Sequence, residues 1–279
     1  MKVGLLVELH KDFENDIKHA KELGFDFGQL VNWDMELYTD ENLQKLKNVL
    51  EKYQFTVTDF WCGWSEPVKW KYPERHITLG LVPKEYRAQR LEDLRRGAEF
   101  AYKLGVRNIV SHTGYIPDSP YSEEHIGVVE ALKCLCNELN ERGQNFTFET
   151  GEELPVTLGV MIKEIGLDNV GVNFDPANLL TNGRANPNDA MDLLGSRVMS
   201  MHAKDSVPPT FGNPAGKQVP IGEGKVDFER LFRQLKDLGY EGDIVIEHEM
   251  AGRENRDEDI RRAKIDLETL IINVFGEVK

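Results

Sequence analysis

Five helix-like segments of this chain end on a glycine, at Gly24, Gly105, Gly143, Gly166 and Gly239, and a short apolar run follows each within a few residues. A glycine at that place suits the left-handed turn that stops a helix. Eight apolar runs of strand length recur, at 3–8, 25–31, 56–61, 108–112, 145–149, 170–175, 198–202 and 243–247. Most are nearly continuous in Val, Ile, Phe and Met, as strands buried on both faces require. Helical patterns lie between them at 13–23, 42–53, 87–104, 124–142, 154–165, 188–194 and 227–238, and another follows at 257–275. Strand–helix units repeated eight times close a parallel (β/α)8 barrel of the TIM type. A doubly wound open sheet is the competing topology. The barrel is preferred because chemically active residues follow many strands instead of clustering at one switch point.

The chain has 279 residues, and no Pro/Ser-rich linker divides it. We therefore expect one α/β domain over 1–279, with long loops at about 62–86 and 203–224. Both loops follow strands, on the face where barrel active sites lie. The net charge of −14 argues against a nucleic-acid or anionic-membrane partner. No apolar run is long enough to span a bilayer. The opening MKVGLLVELH reads as a first strand rather than a signal peptide. The three cysteines, Cys62, Cys134 and Cys136, form no framework and suit a reducing, cytoplasmic compartment.

Four chemically active residues stand at the ends of four strand runs: Glu149, Asp175, His202 and Glu247. In a closed barrel those ends converge. Ionised carboxylates at the end of a buried strand are costly unless paired or metal-bound. Three carboxylates and one imidazole make a site for one divalent ion, with Mn, Zn, Co and Mg all admissible. His112 ends the fourth strand run and is placed at the same mouth, as a substrate-binding or hydrogen-bonded core group. Lys204, two residues past His202, either reaches a substrate oxygen or pairs with a carboxylate. Trp61, Trp64 and Trp70 are candidates to pack on a bound ligand or to line the core, and Trp33 follows the second run. His10, His19, His76 and His125 read as solvated. Strand alternation aims His248 away from the axis. Arg184, Lys217 and Arg253 are possible anion contacts, read first as solvated loop charges. Gly222-Glu223-Gly224 reads as a tight turn leading to Asp227 as a helix N-cap, and not as a dinucleotide fingerprint.

The segments ETG (149–151), NFDPANL (173–179), HAKD (202–205), PIGEGKVDF (220–228) and IVIEHE (244–249) together resemble the xylose-isomerase-like sugar phosphate isomerase/epimerase family. That family includes the ketose 3-epimerases and an inosose isomerase and dehydratase branch. The resemblance implies that Glu149, Asp175, His202 and Glu247 hold one metal, with Glu149 and Glu247 also the acid and base on either side of a bound sugar. It further implies a small carbohydrate or cyclitol substrate and a homodimer or homotetramer. Asn178 stands near the place where ketose epimerases carry a substrate-binding histidine. That departure, and HAKD after the strand, point to another branch.

The chemistry implied is abstraction of a proton beside a carbonyl, through a metal-stabilised enediolate. Return of the proton from the opposite face gives epimerisation. Return to the neighbouring carbon gives isomerisation, and loss of a β-oxygen gives elimination. A metal-dependent dehydratase or lyase on a keto-sugar, keto-inositol or keto-glycoside is therefore the alternative enzyme. A sugar-binding barrel without catalysis is a third reading. A nuclease with a related barrel would need more histidine ligands and a basic face.

Overall fold

The computed structural model describes residues 1–250 and 252–276. Residue 251 and residues 277–279, assigned above to the barrel domain, lie outside the described residues. All eight expected strands form: β1 (Val3–Glu8), β2 (Phe27–Asn32), β3 (Thr56–Cys62), β4 (Asn108–Ser111), β5 (Asn145–Glu149), β6 (Val170–Phe174), β7 (Val198–Ala203) and, last in the chain, β10 (Ile244–Ile246). They close a barrel in the order β1-β10-β7-β6-β5-β4-β3-β2, with every neighbouring pair parallel. The open-sheet alternative is thereby set aside. Closure between β1 and β2 pairs Leu5 with Gly28, and a Cβ at residue 28 would stand 1.8 Å from the Leu5 carbonyl oxygen. Only glycine permits that approach.

The helices outside are α1 (Phe13–Glu22), α2 (Asp40–Tyr53), α3 (Arg75–Thr78), α4 (Lys84–Leu104), α5 (Glu123–Glu141), α6 (Pro155–Ile165), α7 (Pro176–Thr181), α8 (Pro187–Leu194), α9 (Phe228–Asp237) and α10 (Arg256–Phe275). The five predicted helix-ending glycines all adopt positive φ, from 66° at Gly143 to 95° at Gly105. The apolar core fills the layer between helices and barrel. In α9, Phe228, Leu231, Phe232 and Leu235 turn one face inward and are buried. Each such side chain contributes about 1.5–3 kcal/mol on burial.

The barrel interior is more polar than the strand runs suggested. Gln29, Asp59, Thr147, Asn173, Ser200 and His202 are all buried. Ser200 Oγ donates to Asn173 Oδ1 at 2.7 Å, and Thr147 Oγ1 to the Ile109 carbonyl at 3.2 Å.

Both long loops are built, not slack. Arg90 of α4 is fully buried and donates to the carbonyls of Gly80 and Pro67, each at 2.7 Å. Asp93 accepts from the backbone and hydroxyl of Ser65. One helix thus fastens the 62–86 loop over the mouth. The 203–224 stretch, expected to be irregular, contains a two-stranded antiparallel hairpin, β8 (Asp205–Val207) with β9 (Lys217–Val219). Buried Asp205 accepts backbone N–H groups from Ser206, Gly222, Gly224 and Val226 at 2.8–3.0 Å. The Gly-Glu-Gly turn is therefore a cradle for a carboxylate of the chain itself. Asp227 caps α9, accepting from the Arg230 N–H at 3.0 Å.

Candidate metal centre and substrate cavity

Glu149 ends β5, Asp175 follows β6, His202 lies in β7 and Glu247 follows β10. One ligand atom from each lies within 4.8 Å of the others, and all four residues are buried. His202 Nδ1 is 3.0 Å from Glu247 Oε2, 3.3 Å from Glu149 Oε1 and 3.5 Å from Asp175 Oδ2. None of these contacts has hydrogen-bond geometry, so His202 Nδ1 and Asp175 Oδ2 are buried without a partner.

The opposite ring nitrogen explains the arrangement. His202 Nε2 is 2.8 Å from Gln29 Oε1, a contact that reaches across the barrel from β2 to β7. Asn173 Nδ2 is more distant, at 3.2 Å. Assigning the Nε2 proton to the shorter contact leaves Nδ1 a bare lone pair facing three carboxylates. Such a donor set fits a hard to borderline divalent cation.

The charges say the same. Burial pushes the His202 imidazole down, yet Glu247 and Glu149 together hold it well above the usual histidine range. Burial opposes ionisation of Glu149, but His112 and His202 bring its carboxyl below the usual range. For Glu247 burial is again opposed, first by Lys204 and then by His202. Three buried carboxylates demand positive charge, and a metal would displace the proton that His202 otherwise holds.

Local sequence sets each donor. Asp175 is the N-cap of α7: its Oδ1 accepts the Asn178 N–H at 2.8 Å, which leaves Oδ2 for the centre. Thr150 Oγ1 accepts the Asp175 N–H at 2.8 Å and donates to its carbonyl at 2.9 Å. At residue 151 a Cβ would meet Asn178 Cβ at 2.9 Å. The ETG motif is thus a ligand, a clamp on the next ligand, and a gap for α7. Glu149 Oε1 accepts from Asn178 Nδ2 at 2.9 Å, and Oε2 from Trp61 Nε1.

A cavity of about 600 Å³ opens above the cluster. Of the residues expected there, Trp61, His112, Glu149, Asn178, Lys204 and Glu247 line it, as do Trp33 and Trp70. His112 Nδ1 lies 2.9 Å from Glu152 Oε2 and 3.2 Å from the Glu149 carbonyl oxygen. Burial works against its charge, but Glu149 and Glu152 carry its pKa up to about 10. Lys204 Nζ is 3.1 Å from Glu247 Oε2 and also pairs with Glu249.

Several expectations need correction. Trp64 is not a cavity residue. It is buried behind the wall, 5.2 Å from Trp33 and 5.8 Å from Trp61 between ring centroids, with Arg90 over its ring. His248 does line the cavity, because β10 ends at Ile246 and alternation ends with it. His125 is buried, not solvated: its ring meets the Pro117 carbonyl and Glu164. Arg184 is half-buried over Tyr115, whereas Lys217 and Arg253 are exposed as expected, Arg253 pairing with Asp259. Cys62 and Cys136 are buried free thiols, whereas Cys134 is exposed. Arg75 and Glu152 line the cavity without any sequence signal marking them; Glu8, at the end of β1, and Glu249, within IVIEHE, line it too although neither was singled out.

Residues 17–268 match the model of the xylose isomerase-like TIM barrel family. The chain belongs to this family. An L-ribulose-5-phosphate 3-epimerase, UlaE, from an Escherichia coli O157:H7 strain is 32% identical over 247 residues, covering 82% of this chain and 79% of that protein. A xylose isomerase domain protein from Planctomyces limnophilus superposes with a TM-score of 0.92 at 26% identity, each chain covered to 99%. A D-tagatose 3-epimerase-like protein has a TM-score of 0.77 at 21% identity with full coverage of both chains, a likeness of fold. The relative at 32% identity is thus named as a sugar epimerase. Among the described residues no helix is long and apolar enough to cross a membrane.

Proposed function

We propose that the protein is a metal-dependent sugar epimerase that moves a proton at the carbon beside a ketose carbonyl. The observation that carries this reading is the convergence of Glu149 and Glu247 on His202 Nδ1 from strands separated by β6 and β7. Glu149, Asp175, His202 and Glu247 would hold the ion, which when bound supplies Lewis-acid polarisation of the carbonyl.

The chain's own groups do the rest. Trp61 Nε1 and Asn178 Nδ2 fix the Glu149 carboxylate in one orientation. Lys204 does the same for Glu247. Both carboxylates are held ionised at neutral pH, as bases must be. One removes the proton as it stands; the other first takes a proton from solvent and returns it from the opposite side, inverting the carbon, while the base releases its own to solvent. Trp33, Trp61 and Trp70 give the sugar an apolar wall. Asn178, where ketose epimerases carry histidine, is occupied in holding Glu149. The relative at 32% identity is named for a ketose phosphate, which supports ketoses, free or phosphorylated, as the substrate class. The three free thiols support a reducing, cytoplasmic setting.

The test is proton NMR of the Mg²⁺-loaded protein in D₂O with a panel of ketoses and keto-inositols. Deuterium entering beside the carbonyl, with an epimer as product, is the expected result. An isomer or an eliminated product would reassign the chemistry. No exchange in any substrate with the metal bound would overturn the reading.

A further inference from the structure

Arg75 is a cation without a counter-charge. It begins α3 in the 62–86 loop, is 8% exposed and lines the cavity. Its Nε has no hydrogen-bond partner, and among the described residues it forms no ion pair. Its guanidinium carbon instead lies 5.8 Å from the Tyr72 ring centroid and 5.7 Å from that of Tyr115. Aromatic faces hold a guanidinium in place but do not neutralise it. The chain has 48 acidic residues against 34 Lys and Arg, so partners are abundant. A buried arginine that takes none of them is costly unless something else supplies the anion.

The surroundings add to the positive field. Arg184 stands 4.8 Å from the same Tyr115 ring, and its Nε is also buried without a partner. His76, which burial and the two arginines hold toward its neutral form, stacks on that ring at 3.9 Å and adds no counter-charge. The nearby carboxylate of Glu152 is taken by His112. Lys204, by contrast, is fully paired with Glu247 and Glu249.

A chain of side-chain contacts links the Tyr115 ring beside Arg75 to Glu149. Glu149 binds Asn178, Asn182 Nδ2 donates to the Asn178 carbonyl, and Tyr115 OH donates to Asn182 Oδ1 at 3.2 Å. Asn178 and Asn182 are one helical turn apart, a separation of about 6 Å. Arg75 and Glu149 line the same cavity, so one substrate can meet both, its carbonyl at the carboxylates and its charged group at the guanidinium.

We propose that Arg75 forms an anion subsite for the terminal phosphate ester of a phosphorylated ketose. The carbon skeleton named here rests on the epimerase reading; the anion site stands on Arg75 alone. A guanidinium offers a phosphate two parallel N–H donors, which a lysine cannot do.

The experiment compares wild type, Arg75→Met and Arg75→Lys, all Mg²⁺-loaded, on free pentuloses and on their 5-phosphates, with melting temperatures confirming folding. Wild type is expected to favour the phosphates. Arg75→Met should raise KM for them by about 10- to 100-fold and leave the free sugars unchanged, with Arg75→Lys between. Equal use of both substrate sets by wild type, or an undiminished preference in Arg75→Met, would overturn the subsite. If no ketose reacts, the epimerase reading fails by itself. Calorimetric titration of inorganic phosphate then decides the subsite: binding lost in Arg75→Met supports it, and binding equal in both or absent from wild type overturns it.

Discussion

Gln29 on β2 reaches across the barrel to His202 on β7, with Oε1 and Nε2 2.8 Å apart. This contact selects the ring tautomer whose Nδ1 faces Glu149, Asp175 and Glu247. Gln29→Leu keeps the volume roughly constant and removes the acceptor. It should weaken Mn²⁺ binding by about 10- to 100-fold without unfolding the protein. Spin-resonance titration of free Mn²⁺ measures this directly, and unchanged affinity would rule out a positioning role for Gln29.

Asp175 has two duties that one substitution separates. Its Oδ1 caps α7 and its Oδ2 faces the centre. Asparagine caps helices as well as aspartate does. Asp175→Asn should therefore keep the fold and lose much of the metal, since a neutral amide oxygen ligates more weakly than a carboxylate. His202→Ala should lose it too. Full occupancy in both variants would remove these residues from the ligand set.

Glu247→Gln should lower deuterium exchange into substrate by about 10²–10⁴-fold, the usual range for a lost acid or base. Some metal should remain, since an amide oxygen can still ligate. Glu149→Gln should behave alike, because each carboxylate serves one side of the sugar. A wild-type exchange rate in either variant would remove that residue from the proton-transfer pair.

Glu153 is buried and neither carboxylate oxygen has a partner. Burial first, and then the charge of Glu152, push its pKa up to about 8 from an ordinary 4.5. The folded state therefore keeps this proton at pH values where the unfolded chain has released it. The group's contribution to stability is complete below pH 4.5 and lost as pH rises through about 8. Glu153→Gln cannot ionise, so it should gain on wild type by an amount on the order of a few kcal/mol by pH 8.5 and by little at pH 5. Urea unfolding at the two pH values checks the difference; equal gains at both would contradict a buried, protonated Glu153.

The sequence determined the barrel and the four residues of the centre. Strand-length apolar runs and helix-ending glycines report local backbone preference, and a parallel strand buried on both faces must be apolar along its length. Glu149, Asp175, His202 and Glu247 were legible because a charge at the end of such a run breaks the pattern. The tertiary structure alone decided the rest of the site. Gln29 lies 173 residues from His202 in the chain, so nothing local marks it. Trp64 and Trp61 look alike in sequence; one stands behind the wall and one lines it, because the chain turns after Cys62 and Arg90 fastens the loop. His248 entered the cavity because β10 ended two residues before it. Arg75 gave no sequence signal, since a cation shows its lack of an anion only when every neighbour is in place. Local pattern records what each segment prefers, whereas charge balance and cavity walls arise from contacts between segments that meet only when the barrel closes.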